Sequence, residues 1–201
     1  MKKLLIVRHG QTEFNRRGIV QGHVDSDLTP LGVRQAERLG ERLATEGIER
    51  IISSDLGRTI RTANIINDKL GLTVEVDARI RERDYGIFEA RPSTDYSAAM
   101  GEVSYLSFVP ANGEAWADIF LRTEQFLRSH QLLQPPHQTT LLVAHSGTNR
   151  GLLRAFLGLP DDQLVRLSQG NCCLNVVEWL ENGTCSVDVN NVGHLHGLPE
   201  N

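Results

Sequence analysis

The stretch LLIVRHGQTEFN, residues 4–15, decides how the rest of the chain is read. Leu4 to Val7 form a short unbroken apolar run, the pattern of a strand buried on both faces. Such a strand ordinarily leaves the core through a neutral turn, but this one runs directly into Arg8, His9 and Gly10. Two adjacent groups able to carry positive charge at a strand end predict a site for an anion.

Working outward, DLTPLGVRQAERLGERLATEG (residues 27–47) places Leu31, Ala36, Leu39 and Leu43 at helical spacing and stops at Gly47. IERIISSD then reads as a short strand, whose Ser53, Ser54 and Asp55 offer N-cap chemistry to a helix over LGRTIRTANIINDKLG. LTVEVD predicts a further strand, and TTLLVAHSG leads from another apolar run into a helix over TNRGLLRAFLG. Strands alternating with helices predict a three-layer α/β/α fold around a mainly parallel mixed sheet, with helices on both faces. CCLNVVEWL and TCSVDV flank ENG, predicting an edge hairpin whose type I′ turn uses Asn182 and Gly183. Trp116, Phe120 and Phe126 are expected to pack a helix onto the sheet. One domain over residues 1–201 is expected, with the irregular stretch 91–115 as a lid or substrate-selecting insertion.

Composition narrows the partners. A net charge of -4 with 23% charged residues argues against nucleic acid or an anionic membrane, so any positive site is local. The apolar run after Met1, Lys2 and Lys3 is too short for a signal segment or a membrane span. Three cysteines, Cys172, Cys173 and Cys185, lack the spacing of a disulfide framework or a zinc site, so a cytoplasmic setting is expected. His194 and His196 in GHLHG have no nearby set of further ligands, and His23, Asp25 and Asp27 read as loop and cap chemistry.

In an open parallel sheet, ligands sit outside the carboxyl ends of the strands. Three predicted strands bring Arg8 and His9, then Ser53, Ser54 and Arg58, then His145 and Ser146 to that rim. These residues suit a phosphoryl group. A guanidinium grips phosphate oxygens in pairs, and helix-start N–H groups add donors without charge. A neutral imidazole can attack phosphorus while a second, protonated one steadies the equatorial oxygens. Nearby cations disfavour protonation of the attacking ring.

RHGQTEFN, followed in order by QGHVDSDLTPLGVRQA, SSDLGRTIRTA, ERDYGIFE and AHSGTNR, resembles the histidine phosphatase superfamily, the phosphoglycerate mutase-like proteins. The resemblance runs from residue 4 to about residue 157. It implies that His9 is the phosphorylated nucleophile, with Arg8, Arg58 and His145 forming the phosphate pocket. It places Asn15 on the phosphoryl oxygens, and adds Gln21, Gly22 and Ser146 to the phosphate-binding set. Glu82, in the spacing Glu82, Gly86, Glu89, becomes the proton donor to the leaving alkoxide and then the acceptor from water. Neither a metal nor another cofactor is expected, because arginines and imidazole neutralise charge that magnesium neutralises elsewhere. Ser146 and Ala90 stand where the family usually has glycine.

The resemblance covers phosphatases and mutases. Arg83 and Tyr85 match the mutase pattern E-R-x-Y-G, but no lysine or arginine lies between Pro92 and Leu121, where mutases carry a paired-arginine segment. Tyr96, Tyr105, Phe108 and Trp116, beside Asp95, Glu102, Glu114 and Asp118, suit a leaving group that is not strongly anionic. Arg16, Arg17 and Arg83 are the cations that could reach it from other loops. The expected partner is a small-molecule phosphate ester and the expected activity hydrolysis through phosphohistidine, with a mutase second and a silent phosphate-binding module third. A homodimer is compatible with the sequence.

Overall fold

A computed structural model describes residues 2–181 and 183–199. The apolar run becomes β1 (Lys3–Arg8), and its continuous hydrophobicity has a direct cause. Leu4 and Ile6 enter one core while Leu5 and Val7 enter another on the opposite face of the sheet. A strand covered on both sides has no polar face to alternate with.

β2 (Arg50–Ser53), β3 (Val74–Val76) and β4 (Thr140–Ala144) run parallel with β1, while β5 (Leu174–Trp179) and β6 (Cys185–Asn191) close the sheet antiparallel. The six strands lie in the order β3-β2-β4-β1-β5-β6, a mainly parallel mixed sheet with the hairpin at one edge. A short helix α1 (Glu13–Arg16) follows β1. On one face lie α2 (Pro30–Leu43) and α3 (Gly57–Asn67). The residues between α3 and β4 contribute α4 (Ser93–Met100) and α5 (Trp116–Ser129). Helix α5 covers the other face together with α6 (Ser146–Leu157), and α7 (Asp161–Leu164) follows. No helix among the described residues is long and apolar enough to cross a membrane.

Several local expectations are corrected. Ser53, Ser54 and Asp55 do not cap α3: its N-cap is Leu56, and the Asp25 carboxylate, from another loop, accepts the Arg58 N–H at 3.2 Å. The hairpin is not a two-residue type I′ turn, because Leu180 N–H bonds the Thr184 carbonyl at 2.8 Å, the register of a three-residue connection. Gly183 takes φ +82°, and Asn182 lies outside the described residues. Phe126 packs on the sheet, but Trp116 and Phe120 form a separate cluster with Ile119, Leu164 and Val165, away from the strands. The stretch 91–115 is less irregular than expected, since it opens with α4, on which only Tyr96 is buried.

Ala90 explains why glycine is usual at its position. It adopts φ +59°, held by its N–H to the Val20 carbonyl at 2.9 Å, a left-handed conformation that crowds a Cβ. Ala90→Gly therefore raises stability by roughly 0.5 to 1 kcal/mol, the relieved strain being partly offset by backbone entropy. Urea unfolding measures this, and a lower midpoint for the variant would contradict it.

Candidate active site

Because β1, β2 and β4 are parallel, Arg8, Ser53 and Ala144 end at the same edge of the sheet. A pocket of about 390 Å³ opens there, and Arg8, His9, Asn15, Gln21, Gly22, Arg58, Glu82 and Ser146 all line it. His145 lies immediately beneath, its ring 5.3 Å from that of His9 and tilted by 62°.

His9 is buried, and its Nδ1 lies 2.8 Å from the Gly10 carbonyl oxygen. A carbonyl only accepts, so Nδ1 carries the hydrogen and Nε2 keeps its lone pair. Burial first, then Arg58 and Arg8, hold the ring well below the usual histidine range. The following turn is tight because of α2 rather than because of a ligand. A Cβ on Gly10 would meet the Gly32 carbonyl oxygen at 2.4 Å.

The two guanidiniums are fixed by carbonyls that leave part of each free. Arg8 donates from Nη1 to Gln169 O at 2.6 Å, while its buried Nε has no partner. Arg58 donates to Gly22 O (2.7 Å), Val24 O (3.1 Å) and Asp25 Oδ1 (2.8 Å), and its buried Nε is likewise unpartnered. Gly22 thus serves through its carbonyl. Buried donors left unmatched in a polar cleft are costly, and an oxyanion relieves that cost.

His145 caps the start of α6, and Ser54 Oγ lies 3.0 Å from its Nε2. Ser54 Oγ also accepts the Leu56 N–H at 3.4 Å, so its own hydrogen can go to His145, leaving the imidazole hydrogen on the buried, unpartnered Nδ1. Burial first, then Arg58 and His9, push His145 well below its ordinary value. These surroundings favour a neutral donor over the protonated imidazole expected from sequence.

Glu82 bridges two elements: Oε1 accepts the Arg83 N–H at 2.8 Å, and both oxygens accept the Gly147 N–H, at 3.0 and 3.1 Å. Asn15 Oδ1 accepts from Thr12 N–H and Asn171 Nδ2, each at 3.2 Å, which turns its own amide donor toward the pocket. Gln21 Oε1 accepts from Ser26 Oγ at 3.1 Å.

Other expectations do not survive. Arg16 and Arg17 do not line the pocket. Arg83 is fully buried and committed to Glu114 O (2.9 Å), Phe108 O (2.6 Å) and Tyr96 Oη (3.1 Å), with Tyr85, Tyr105 and Trp116 rings around it. Asp95, Glu102, Glu114 and Asp118 also stay out of the pocket lining: Glu114 pairs with Arg122 at 2.9 Å, and Asp118, at the start of α5, accepts the Ala115 N–H. His194 bonds the Cys172 carbonyl at 3.0 Å. Sequence reasoning missed Asp25 as the partner of Arg58, Gln169 behind Arg8, and Arg150 in the pocket wall. Only Arg150 carried a local signal, standing four residues after Ser146 and therefore on the same helical face.

Comparison with known proteins agrees with this geometry. Residues 4–192 match the family profile of the histidine phosphatase superfamily (branch 1). A probable phosphoglycerate mutase GpmB of Proteus mirabilis (strain HI4320) is 37% identical, over 97% of this chain and 95% of that protein. The mycobacterial glucosyl-3-phosphoglycerate phosphatase, solved in complex with VO3, superposes with a TM-score of 0.83 at 28% identity, covering 95% of this chain and 99% of its own. Bacillus stearothermophilus YhfR gives a TM-score of 0.83 at 27% identity, covering 98% and 100%. With the matched profile spanning nearly the whole chain and the motif residues gathered at one sheet edge, the chain belongs to the histidine phosphatase superfamily.

Proposed function

We propose that the chain is a phosphomonoesterase that works through a phosphohistidine on His9. The observation that carries this reading is that the three residues acting on the His9 ring, Arg8, Arg58 and His145, each keep one buried nitrogen without a partner: Arg8 Nε, Arg58 Nε and His145 Nδ1. They supply donors for the equatorial oxygens of a transferring phosphoryl group, beside an imidazole whose Nε2 lone pair is free.

In the first step His9 Nε2 attacks phosphorus and the ester P–O bond breaks. Glu82, in its acid form, hands its proton to the departing alkoxide. In the second step the Glu82 carboxylate takes a proton from water, the water oxygen bonds phosphorus, and the P–N bond breaks to release inorganic phosphate. Arg8 and Arg58 balance the phosphate charge throughout, and Asn15, Gln21 and Ser146 complete its surroundings. Residues 91–115, with Tyr96 and Tyr105 on the pocket wall, form the side that meets the leaving group.

A phosphoglycerate mutase is the second reading, favoured by the relative of that name and by the motif Glu82, Arg83, Tyr85. Against it, Arg83 has its donors committed to the insertion, so the cation this motif offers is not free for a phosphoglycerate. Phosphate release from 4-nitrophenyl phosphate, compared with bisphosphoglycerate-primed interconversion of the phosphoglycerates, separates the two. Efficient interconversion with little release would reverse the preference.

Replacing His9 by alanine should abolish phosphate release and acid-labile labelling, and Glu82→Gln should lower kcat by about 10²- to 10⁴-fold. Unchanged hydrolysis in either variant would refute the role assigned to it. A methyl group on Gly147 would meet Glu82 Oε1 at 2.5 Å, so Gly147→Ala should cut kcat at least about tenfold while inhibition by vanadate persists. Loss of vanadate inhibition as well would mean that the whole pocket had collapsed.

The buried imidazoles also set a pH dependence of stability. His9 and His145 resist protonation in the fold, whereas the unfolded chain titrates near 6.5. Below that pH the unfolded state binds protons that the folded state refuses, so stability is intact above it and declines as pH falls. Between pH 7 and 5.5, His145→Gln should lose roughly 1 kcal/mol less stability than the parent protein. Urea unfolding at both pH values reads this, and equal losses would mean that His145 accepts its proton in the fold.

A further inference from the structure

Glu89 shares a motif with Glu82 and Gly86, yet it does not line the pocket and takes no part in the proposed reaction. It is half-buried, and both of its carboxylate oxygens are engaged. Oε1 accepts the His23 N–H at 2.7 Å and the Tyr85 N–H at 3.2 Å. Oε2 accepts the Val24 N–H at 3.1 Å, a hydrogen shared with the Gln21 carbonyl, also at 3.1 Å. Successive backbone N–H groups folded around a carboxylate form a nest, and charge-assisted bonds of this kind hold the chain that makes them.

The His23 N–H and the Gly22 carbonyl belong to one peptide group. On its N–H side that group meets Glu89, and on its carbonyl side it accepts Arg58 Nη2 at 2.7 Å. Further along the same loop, the Val24 carbonyl and Asp25 Oδ1 accept Arg58 Nη1 at 3.1 and 2.8 Å. Both terminal nitrogens of the guanidinium are therefore spent on residues 22–25, so its plane follows this loop and its buried Nε is left without a partner. Gly22 is fitted to the arrangement, with φ +57° and room for no Cβ, which would lie 1.9 Å from Glu89 Oε1. Burial opposes the Arg58 charge, Asp25 favours it most, and Glu82 and Glu89 add to that support.

We infer that Glu89 is a positioning residue: its carboxylate aligns the Gly22–His23 peptide group, and that group aims Arg58 at the phosphate. The line runs from carboxylate to amide hydrogen, amide oxygen and guanidinium, so each bond polarises the peptide between them in favour of the other. Asp25 neutralises Arg58 but belongs to the loop that has to be steadied. Glu89 comes from outside it, 66 residues after His23, and is the anchor against which the loop is set. Glu89→Gln replaces one accepting oxygen by an amine that would face a backbone N–H, so the loop has to shift and the guanidinium shifts with it. The assignment rests on the site's binding phosphate, which the hydrolase and mutase readings share, and not on which reaction follows.

The test is a double-mutant cycle read by binding of inorganic phosphate, titrated by phosphorus NMR on the parent protein, Glu89→Gln, Arg58→Ala and the double variant. Glu89→Gln should weaken phosphate binding about tenfold in the parent, but less than about twofold once Arg58 is alanine, because the group that Glu89 aims is gone. An unchanged affinity in Glu89→Gln would overturn the assignment. The same loss with and without Arg58 would also overturn it, by making Glu89 a general support of the pocket. If Glu89→Gln does not fold, Glu89→Asp, whose carboxylate is one methylene short of the loop, enters the same cycle with the same expectations. Where Arg58→Ala binds phosphate too weakly to titrate, kcat/KM for 4-nitrophenyl phosphate closes the cycle. If the binding cycle behaves as expected but the parent protein releases no phosphate from 4-nitrophenyl phosphate, the hydrolase reading fails and the Glu89 assignment stands.

Discussion

Two guanidiniums held away from water next to a neutral histidine are the constraint around which this molecule is arranged. Burial opposes the charge of both Arg8 and Arg58, and among the described residues only Asp25 bonds one of them, Arg58, with a carboxylate. The other hydrogen bonds come from neutral carbonyls of Gly22, Val24 and Gln169, drawn from two loops far apart in sequence, while the charges of Glu82 and Glu89 also favour the guanidiniums. Charges kept in low-dielectric surroundings by fixed dipoles act strongly on whatever anion reaches them, and need no reorganisation to do so.

That arrangement demands a rigid base, which β1 provides. Its four apolar residues are fully buried in two cores at once, and it is bonded to β4 on one side and β5 on the other. His9 is tied on further: its N–H to Ala144 O at 3.1 Å, and its carbonyl to Cys172 N–H at 3.2 Å and Asn171 Nδ2 at 3.1 Å. A ring whose backbone is fixed on both sides and whose Nδ1 is tied to Gly10 has little freedom left in aim.

Much of this was legible in the sequence because it depends on local pattern. The apolar runs before Arg8, Ser53 and Ala144 announced parallel strands, and the polar residues after them announced the rim. What was not legible depends on groups brought from a distance. The carboxylate that caps α3 comes from Asp25, 33 residues before Arg58, and no local window contains both. α4 carries almost no apolar face, with Tyr96 its one buried residue, so periodicity could not find it. Arg83 looked like an available cation because sequence gives a charge but not its partners, which turned out to be carbonyls of Phe108 and Glu114. Glu114 and Asp118 misled for the same reason, since they serve Arg122 and the start of α5 rather than the pocket.

The way Arg83 is held has a consequence for how such a site can diversify. Its side chain grips the insertion at Phe108 and Glu114, while its own backbone N–H steadies Glu82, the proposed acid, through a bond of 2.8 Å. The insertion and the carboxyl group of the proposed acid are therefore joined through one peptide unit at Arg83, and a second time through Arg122, which donates to both Glu82 O and Glu114 Oε2. Any exchange of residues 91–115 that shifts those two carbonyls is transmitted to the carboxyl group within one peptide unit. New leaving-group preferences are thus accessible chiefly through side chains on the wall, such as Ser97 and Met100, while its backbone path stays as it is.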